Sequence, residues 1–108
     1  MAQEKFILDA TAGFRMMWFD KHHPNALYID ERPECEPDQV ADSKCLPYPN
    51  ESFRLIVFDP PHLIKGGKVH NMNMVRRFGY LSPETWQTDI QQSFKELLMI
   101  LIAASLLV

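Results

Sequence analysis

The sequence is poor in cysteine and lacks a strong excess of charge of either sign. Cys35 and Cys45 are its two cysteines, and two thiols without a secretory signal indicate reduced residues of a cytoplasmic protein rather than a disulfide framework. The first residues, MAQEKF, carry charges of both signs and do not form a signal-peptide pattern. A net charge of -3 excludes a global basic field, so any contact with a polyanion has to be local.

Three other signals are missing. The segment Leu97 to Val108 has only Ser105 as a polar interruption, but a membrane-spanning helix needs about twenty residues, so no membrane association is expected. The Gly-x-Gly-x-x-Gly fingerprint is absent, which disfavours a nucleotide-dependent oxidoreductase. His22, His23 and the two cysteines lack the spacing of a compact zinc motif, and no metal is expected.

What is present fits one small α/β domain spanning residues 1–108. Of the residues, 46% are apolar and 23% are charged, which is typical of globular rather than disordered chains. A short strand over Gln39–Ala41 accompanies three apolar segments that predict an open sheet of parallel strands flanked by helices. Each segment stops at an aspartate: Phe6–Leu8 before Asp9, Ala26–Ile29 before Asp30, and Phe53–Phe58 before Asp59. Because ligands bind beyond the carboxyl ends of such strands, we expect the three carboxylates at one binding edge.

Helices are predicted between and after these strands. The segment Phe14 to Lys21 lacks alternation and favours a short helix, with the methionines and aromatics of Met16–Phe19 packed in the core. Ser82 is a candidate N-cap with a proline after it, which predicts a long helix from about Pro83 to about Leu101. A further strand is expected from Ser105 onward.

Small and acidic residues at the strand ends form a first candidate site. The small residues between Asp9 and Gly13 allow a ligand to approach the backbone closely, or they form only a glycine turn. Asp30 stands where an acid commonly binds both hydroxyls of a ribose, with a solvated strand-end carboxylate as the alternative. Asp42, followed by Cys45, either accepts a hydrogen bond from an adenine amino group or belongs to a turn.

The segment Asp59-Pro60-Pro61-His62 directly follows the most apolar strand. Two prolines remove two backbone donors and hold their carbonyls rigidly. A carboxylate beside a fixed carbonyl provides two acceptors for both hydrogens of an exocyclic amine, so that the amine lone pair faces an electrophile, and the next side chain can stack on a ring. The alternative is a strand that is simply terminated by proline.

A locally basic segment comes next. No acidic residue occurs from His62 to Pro83. This setting favours contact with phosphate groups over an ordinary solvated loop. The candidate substrate-binding residues are Lys65, Lys68, Arg76 and Arg77.

Together these features resemble the class I S-adenosylmethionine-dependent methyltransferases. They are similar in particular to the amino-methylating group, whose catalytic motif is Asp/Asn/Ser-Pro-Pro-aromatic. The phrases DATAGFRMMWFDK and ALYIDER look like those of small methyltransferases associated with phages and prophages. The resemblance covers Phe6 to about Leu98 and implies a Rossmann-like sheet.

The resemblance also implies a cofactor and a reaction. S-adenosylmethionine would lie with its methionine end at Asp9 and Gly13, its ribose at Asp30 and its adenine at Asp42. The methyl group would pass to an exocyclic amine, with adenine N6 in DNA as the first candidate and RNA bases and protein amides as the alternatives. The implied cofactor-binding residues are Asp9, Ala10, Gly13, Asp30, Asp42 and Cys45. The implied catalytic residues are Asp59, Pro60, Pro61 and His62.

The chain departs from this family pattern at two places. His62 stands where the family prefers Tyr, Phe or Trp as the stacking residue. The Leu-x-Pro-Gly-Gly turn that usually follows the long helix is absent, which predicts a domain lacking its last strands and an uncovered sheet edge open to self-association. These departures support a second hypothesis, an inactive cofactor-binding remnant or interaction module.

Overall fold

The computed structural model describes residues 5–60 and 81–107. Within them five strands, one α-helix and a short 3-10 turn at Pro33–Cys35 follow one another along the chain. The strands and the helix, in chain order, are β1 (Ile7–Asp9), β2 (Ala26–Asp30), β3 (Gln39–Val40), β4 (Phe53–Val57), α1 (Trp86–Ile100) and β5 (Leu101–Leu107).

The strands form a single parallel sheet in the order β3-β2-β1-β4-β5. Asp9, the last residue of β1, is level with Tyr28 of β2 and Val57 of β4. The prediction of an α/β domain with parallel strands is therefore confirmed, and the strand order is compatible with a Rossmann-like fold. Because all strands run the same way, their carboxyl ends lie at one edge of the sheet.

Each face of the sheet carries its own apolar cluster, because successive side chains of a strand point to opposite faces. On one face α1 places Leu97 and Ile100 against Leu8, Ile29 and Ile56. The strand residues on the other face are Ile7, Ala26, Tyr28 and Leu55, and Trp18 packs against them. The loop that follows β1, rather than a helix, therefore contributes to the cover of this second face.

The short helix expected over Phe14 to Lys21 does not form, and that prediction was wrong. The segment is a series of turns, and Arg15 has a positive φ of 61°, which a right-handed helix does not allow. The guanidinium of Arg15 lies 4.1 Å from the centre of the Tyr28 ring and donates a hydrogen bond of 2.7 Å to the Lys21 carbonyl. Burial of this cation on an aromatic ring holds the loop in its turns.

The expected core packing of the Met16–Phe19 segment was also mostly wrong. Trp18 packs on the sheet as predicted, and its ring meets Tyr28 edge-on at 5.1 Å between centroids. Met16, Met17 and Phe19 are exposed. Because the segment forms turns around Arg15, only Trp18 of the four side chains reaches the core. The predicted helix would have placed these side chains differently.

The ends of the long helix differ from the prediction by a few residues. Helix α1 begins at Trp86 rather than Pro83, with Thr85 at the N-cap position. The Ser82 hydroxyl does accept the backbone N–H of Glu84, as a cap would, but residues 83–85 form turns ahead of the helix. At the other end Leu101 is already extended, so β5 begins there and not at Ser105. Within residues 5–60 and 81–107 no helix has both the length and the apolarity to cross a bilayer.

The packing of α1 predicts a sharp contrast between two adjacent leucines. Leu97 is fully buried, whereas Leu98 is 59% exposed. We expect Leu97→Ala to lower the free energy of unfolding by about 3 kcal/mol, because it leaves a cavity under the helix. Leu98→Ala, which makes the same change in helix propensity, is the control and should cost less than about 1 kcal/mol. Urea denaturation of both variants measures the difference, and equal losses would contradict this packing.

Candidate functional site

An open cleft lies at the edge where the parallel strands end, which is the edge that the sequence predicts for ligand binding. We call it the strand-end cleft. Five predicted site residues line it, namely Ala10, Asp30, Asp42, Asp59 and Pro60. Other lining residues come from the same loops and from α1 and the segment before it: Thr11, Glu31, Arg32, Ala41, Ser43, Lys44, Phe58, Leu81, Ser82, Asp89, Ile90 and Ser93.

Asp9 lies behind the cleft wall rather than in it. The residue is 2% exposed, and its carboxylate accepts hydrogen bonds from Trp18 Nε1 at 2.7 Å and from the backbone N–H of Thr11 at 3.2 Å. Burial raises the pKa of Asp9 above its ordinary value, and the nearby carboxylates of Asp30 and Asp59 raise it further. Asp9 therefore holds the loop after β1 in place through its bonds to Thr11 and Trp18.

Gly13 and Asp30 are joined directly to each other. The backbone N–H of Gly13 donates to Asp30 Oδ2 at 2.8 Å, and Gly13 has a φ of 54°, a conformation that glycine adopts without steric cost. Arg32 supplies the other donors: its backbone N–H and Nε bond to Oδ1 at 2.9 and 3.0 Å, and its Nη2 lies 3.5 Å from Oδ2. Asp30 thus lines the cleft while holding the β1 loop beside β2.

Asp42 begins a tight turn after β3, as one of the two interpretations of the sequence has it. Its backbone forms an isolated antiparallel β-bridge with Cys45. Its carboxylate accepts a hydrogen bond from the backbone N–H of Lys44 at 2.9 Å and forms an ion pair with Lys44 Nζ at 3.3 Å. The turn is attached to α1, because the hydroxyls of Ser43 and Ser93 lie 2.8 Å apart. Asp42 lines the cleft, whereas Cys45 is an exposed free thiol outside it.

Asp59 lies two residues after the end of β4 and is bonded to the loop after β1. Its backbone N–H donates a hydrogen bond of 2.6 Å to Thr11 Oγ1. The side chain of Asp59 is exposed, and both Asp59 and Pro60 line the cleft. The first half of the Asp-Pro-Pro-His segment therefore faces the same space as Asp30 and Asp42.

The described lining of the cleft is acidic. Partial desolvation raises the pKa of Glu31, although the residue is exposed, and the neighbouring carboxylate of Asp42 adds to the effect. A cleft in which carboxylates outnumber cations favours a positively charged ligand over a bare polyanion. Its acidic residues are Asp30, Glu31, Asp42, Asp59 and Asp89, and its basic residues are Arg32 and Lys44.

Several site residues escaped the sequence reasoning. Three of them, Thr11, Glu31 and Lys44, lie within two residues of a predicted site aspartate. Proximity to the end of a predicted strand would therefore have indicated them. Asp89 and Ser93 come from α1, far away in sequence, and no local signal indicates them. In the described part of the chain no group of His, Cys, Asp and Glu could hold a metal ion.

Six predicted site residues fall outside the described residues, so their positions relative to the cleft stay predictions. Two belong to the catalytic motif and four to the basic segment. They are Pro61, His62, Lys65, Lys68, Arg76 and Arg77.

Comparison of the chain with known proteins adds no relative. No protein-family model matches it, and no curated protein and no solved structure matches it either.

Because the pKa of Asp9 is raised, the loss of stability caused by its replacement should depend on pH. A carboxyl whose pKa is higher in the folded than in the unfolded protein stabilises the fold more as the pH falls toward its ordinary value of 3.8. Asp9→Asn does not titrate, and its amide turns an N–H₂ group toward one of the two donors. We expect the variant to be less stable than the wild type in urea, by a margin that grows from neutral pH toward acid.

Trp18→Phe is the matched comparison for this measurement. Trp18→Phe removes the indole donor that favours the ionised form of Asp9, and so raises the pKa of Asp9 further. When Asp9→Asn is introduced into the Trp18→Phe variant, the loss of stability that it causes should therefore begin to grow at a higher pH. A margin that shrinks toward acid would contradict the buried environment described for Asp9.

Proposed function

We propose that this chain is an S-adenosylmethionine-dependent methyltransferase that methylates an exocyclic amine, adenine N6 in DNA. One observation carries the proposal. The ends of four neighbouring parallel strands bring Ala10, Asp30, Asp42 and Asp59 to a single cleft. The resemblance counts Ala10 among the cofactor-binding residues and assigns the ribose to Asp30, the adenine to Asp42 and the target amine to Asp59. Asp9 and Gly13, to which it assigns the methionine end, belong to the same loop as Ala10 but do not line the cleft.

The chemistry of the cleft fits such a cofactor. S-adenosylmethionine carries a positively charged sulfonium whose methyl group is electrophilic. The excess of carboxylates in the described lining favours a ligand with this charge. Small residues at Ala10 and Thr11 leave the backbone after β1 open to close approach.

Asp30 can bind a ribose with a small rearrangement. Its oxygens already accept from Gly13 and from Arg32, and a carboxylate offers roughly four acceptor positions in all. The longest of these contacts is the one from Arg32 Nη2, at 3.5 Å. A ribose hydroxyl would replace that contact, while the shorter bonds from Gly13 and from the Arg32 backbone keep the carboxylate in place.

Asp59 and Pro60 provide the acceptors for the target amine. The Asp59 carboxylate and the Pro60 carbonyl would each take one hydrogen of the amine, which aims the nitrogen lone pair at the methyl carbon. Asp59 would then stabilise the positive charge that grows on nitrogen as the new N–C bond forms in line with the breaking C–S bond. The neutral thioether S-adenosylhomocysteine would leave, and one proton of the amine would pass to water. The site thus contributes orientation and electrostatics.

DNA as the substrate follows from the basic segment rather than from the cleft. The acidic lining repels phosphate groups, so contact with the backbone of a nucleic acid falls to Lys65, Lys68, Arg76 and Arg77. An adenine within a duplex has to be flipped out to reach Asp59, and His62 would stack on it. RNA bases and protein amides stay alternatives, because the acceptor pair recognises an amine rather than a polymer.

A second candidate function has one observation in its favour. The carboxylates of Asp30 and Asp42 bond to donors of their own chain, which is what purely structural aspartates do. A remnant of the fold that no longer transfers methyl groups, or an interaction module, would keep these bonds for stability alone.

Methyl transfer from radiolabelled S-adenosylmethionine separates the two candidates. The full chain is incubated with DNA, RNA or protein extract, and label in each polymer is counted. We expect label in adenine of DNA, and we expect Asp59→Ala to lower the rate about a hundredfold or more, because it removes the carboxylate that stabilises the developing charge.

Glu34→Ala is the control for this variant. Glu34 is also an exposed acid, it lies in the 3-10 turn outside the cleft lining, and its replacement makes the same change in charge. It should leave the rate within about twofold of the wild type. Binding of the cofactor without any transfer that depends on Asp59 would favour the remnant over the enzyme.

A further inference from the structure

The hydrogen bond between Asp59 and Thr11 links two segments that lie 48 positions apart in the sequence. The donor is the backbone N–H of Asp59 and the acceptor is Thr11 Oγ1, at 2.6 Å. Both residues line the strand-end cleft. A side chain of the loop after β1 therefore holds the backbone from which the proposed catalytic carboxylate projects.

The position of this bond along the chain matters because of the two prolines that follow. Pro60 and Pro61 have no backbone N–H, so the N–H of Asp59 is the last backbone donor before them. Of the three residues Asp59, Pro60 and Pro61, only Asp59 can therefore donate a backbone hydrogen bond that fixes the direction of the segment. Rotation there would displace both the carboxylate of Asp59 and the carbonyl of Pro60.

Thr11 is itself held from two sides. Its backbone N–H donates to the buried carboxylate of Asp9, which Trp18 Nε1 also contacts at 2.7 Å. The preceding residue, Ala10, donates its N–H to the carbonyl of Val57 at 2.9 Å. Val57 is the last residue of β4 and lies two residues before Asp59. The same loop is therefore bonded to the end of β4 at Val57 and to the following segment at Asp59.

We propose that Thr11 is a positioning residue that sets the orientation of Asp59 and Pro60 toward the target amine. This inference rests on the proposed function. Thr11 acts through the hydroxyl oxygen that accepts the Asp59 N–H, and the buried Asp9 acts through Thr11. The hydroxyl, rather than the shape of the side chain, is therefore what the site requires.

Two substitutions separate the hydroxyl from the shape. Thr11→Val keeps the branched shape and removes the acceptor, whereas Thr11→Ser keeps the acceptor and removes a methyl group. In Thr11→Val we expect hydrogen exchange of the Asp59 amide, followed by NMR, to become at least about tenfold faster. We also expect kcat for methyl transfer to fall about tenfold or more, because the acceptors lose their alignment. Thr11→Ser should restore both properties to within about threefold of the wild type.

The dissociation constant for S-adenosylmethionine, measured by calorimetry, distinguishes positioning of the amine from contact with the cofactor. It should change less than about twofold in Thr11→Val. The inference is overturned if Asp59 exchange is unchanged in Thr11→Val, if Thr11→Ser does not rescue the rate, or if the loss of cofactor affinity accounts for the whole loss of rate. A wild-type chain that transfers no methyl group would refute the proposed function, and the exchange measurement would then decide by itself whether Thr11 holds Asp59.

Discussion

The site depends on hydrogen bonds that continue past the end of β1 to both of its neighbours. The N–H of Ala10 bonds to the carbonyl of Val57 on the β4 side, and the N–H of Ala12 bonds to the carbonyl of Ile29 on the β2 side, each at 2.9 Å. One short loop therefore spans the middle of the sheet and joins the ends of three strands. Since every strand is parallel, this loop, Asp30 and Asp59 have to meet at the same edge.

A concentration of carboxylates at one edge has an electrostatic cost, and the chain offsets only part of it. Arg32 and Lys44 form ion pairs with Asp30 and Asp42, yet acids still outnumber bases in the described lining of the cleft. The raised pKa values of Asp9 and Glu31 reflect burial and the neighbouring negative charge. A cationic ligand would relieve that repulsion, so the excess of carboxylates that costs the fold stability favours the cofactor proposed for it.

Strand positions were predictable because a continuous apolar run that stops at an aspartate is a local signal, and β2 and β4 carry it clearly. The segment after β1 was not predictable in the same way. Its turns depend on the guanidinium of Arg15 lying over Tyr28, a contact with a strand that the local pattern does not contain. Parallel topology predicted that Asp30 and Asp59 share one edge, and both line the cleft there. Asp9, which the same prediction placed with them, is buried behind the cleft wall instead. The bond from Asp59 to Thr11 was not predictable, since a hydroxyl that accepts one distant backbone N–H leaves no pattern in the sequence.

Binding of S-adenosylmethionine in the strand-end cleft, as proposed, can be measured by an NMR titration of the full isotope-labelled chain with the cofactor. We expect saturable shifts of backbone amides at the carboxyl edge, at Ala10, Arg32 and Lys44. Amides at the opposite edge, such as those of Ala26 and Phe53, should hardly move. Absence of saturable shifts at millimolar cofactor, or shifts confined to the opposite edge, would show that the cofactor does not bind in this cleft.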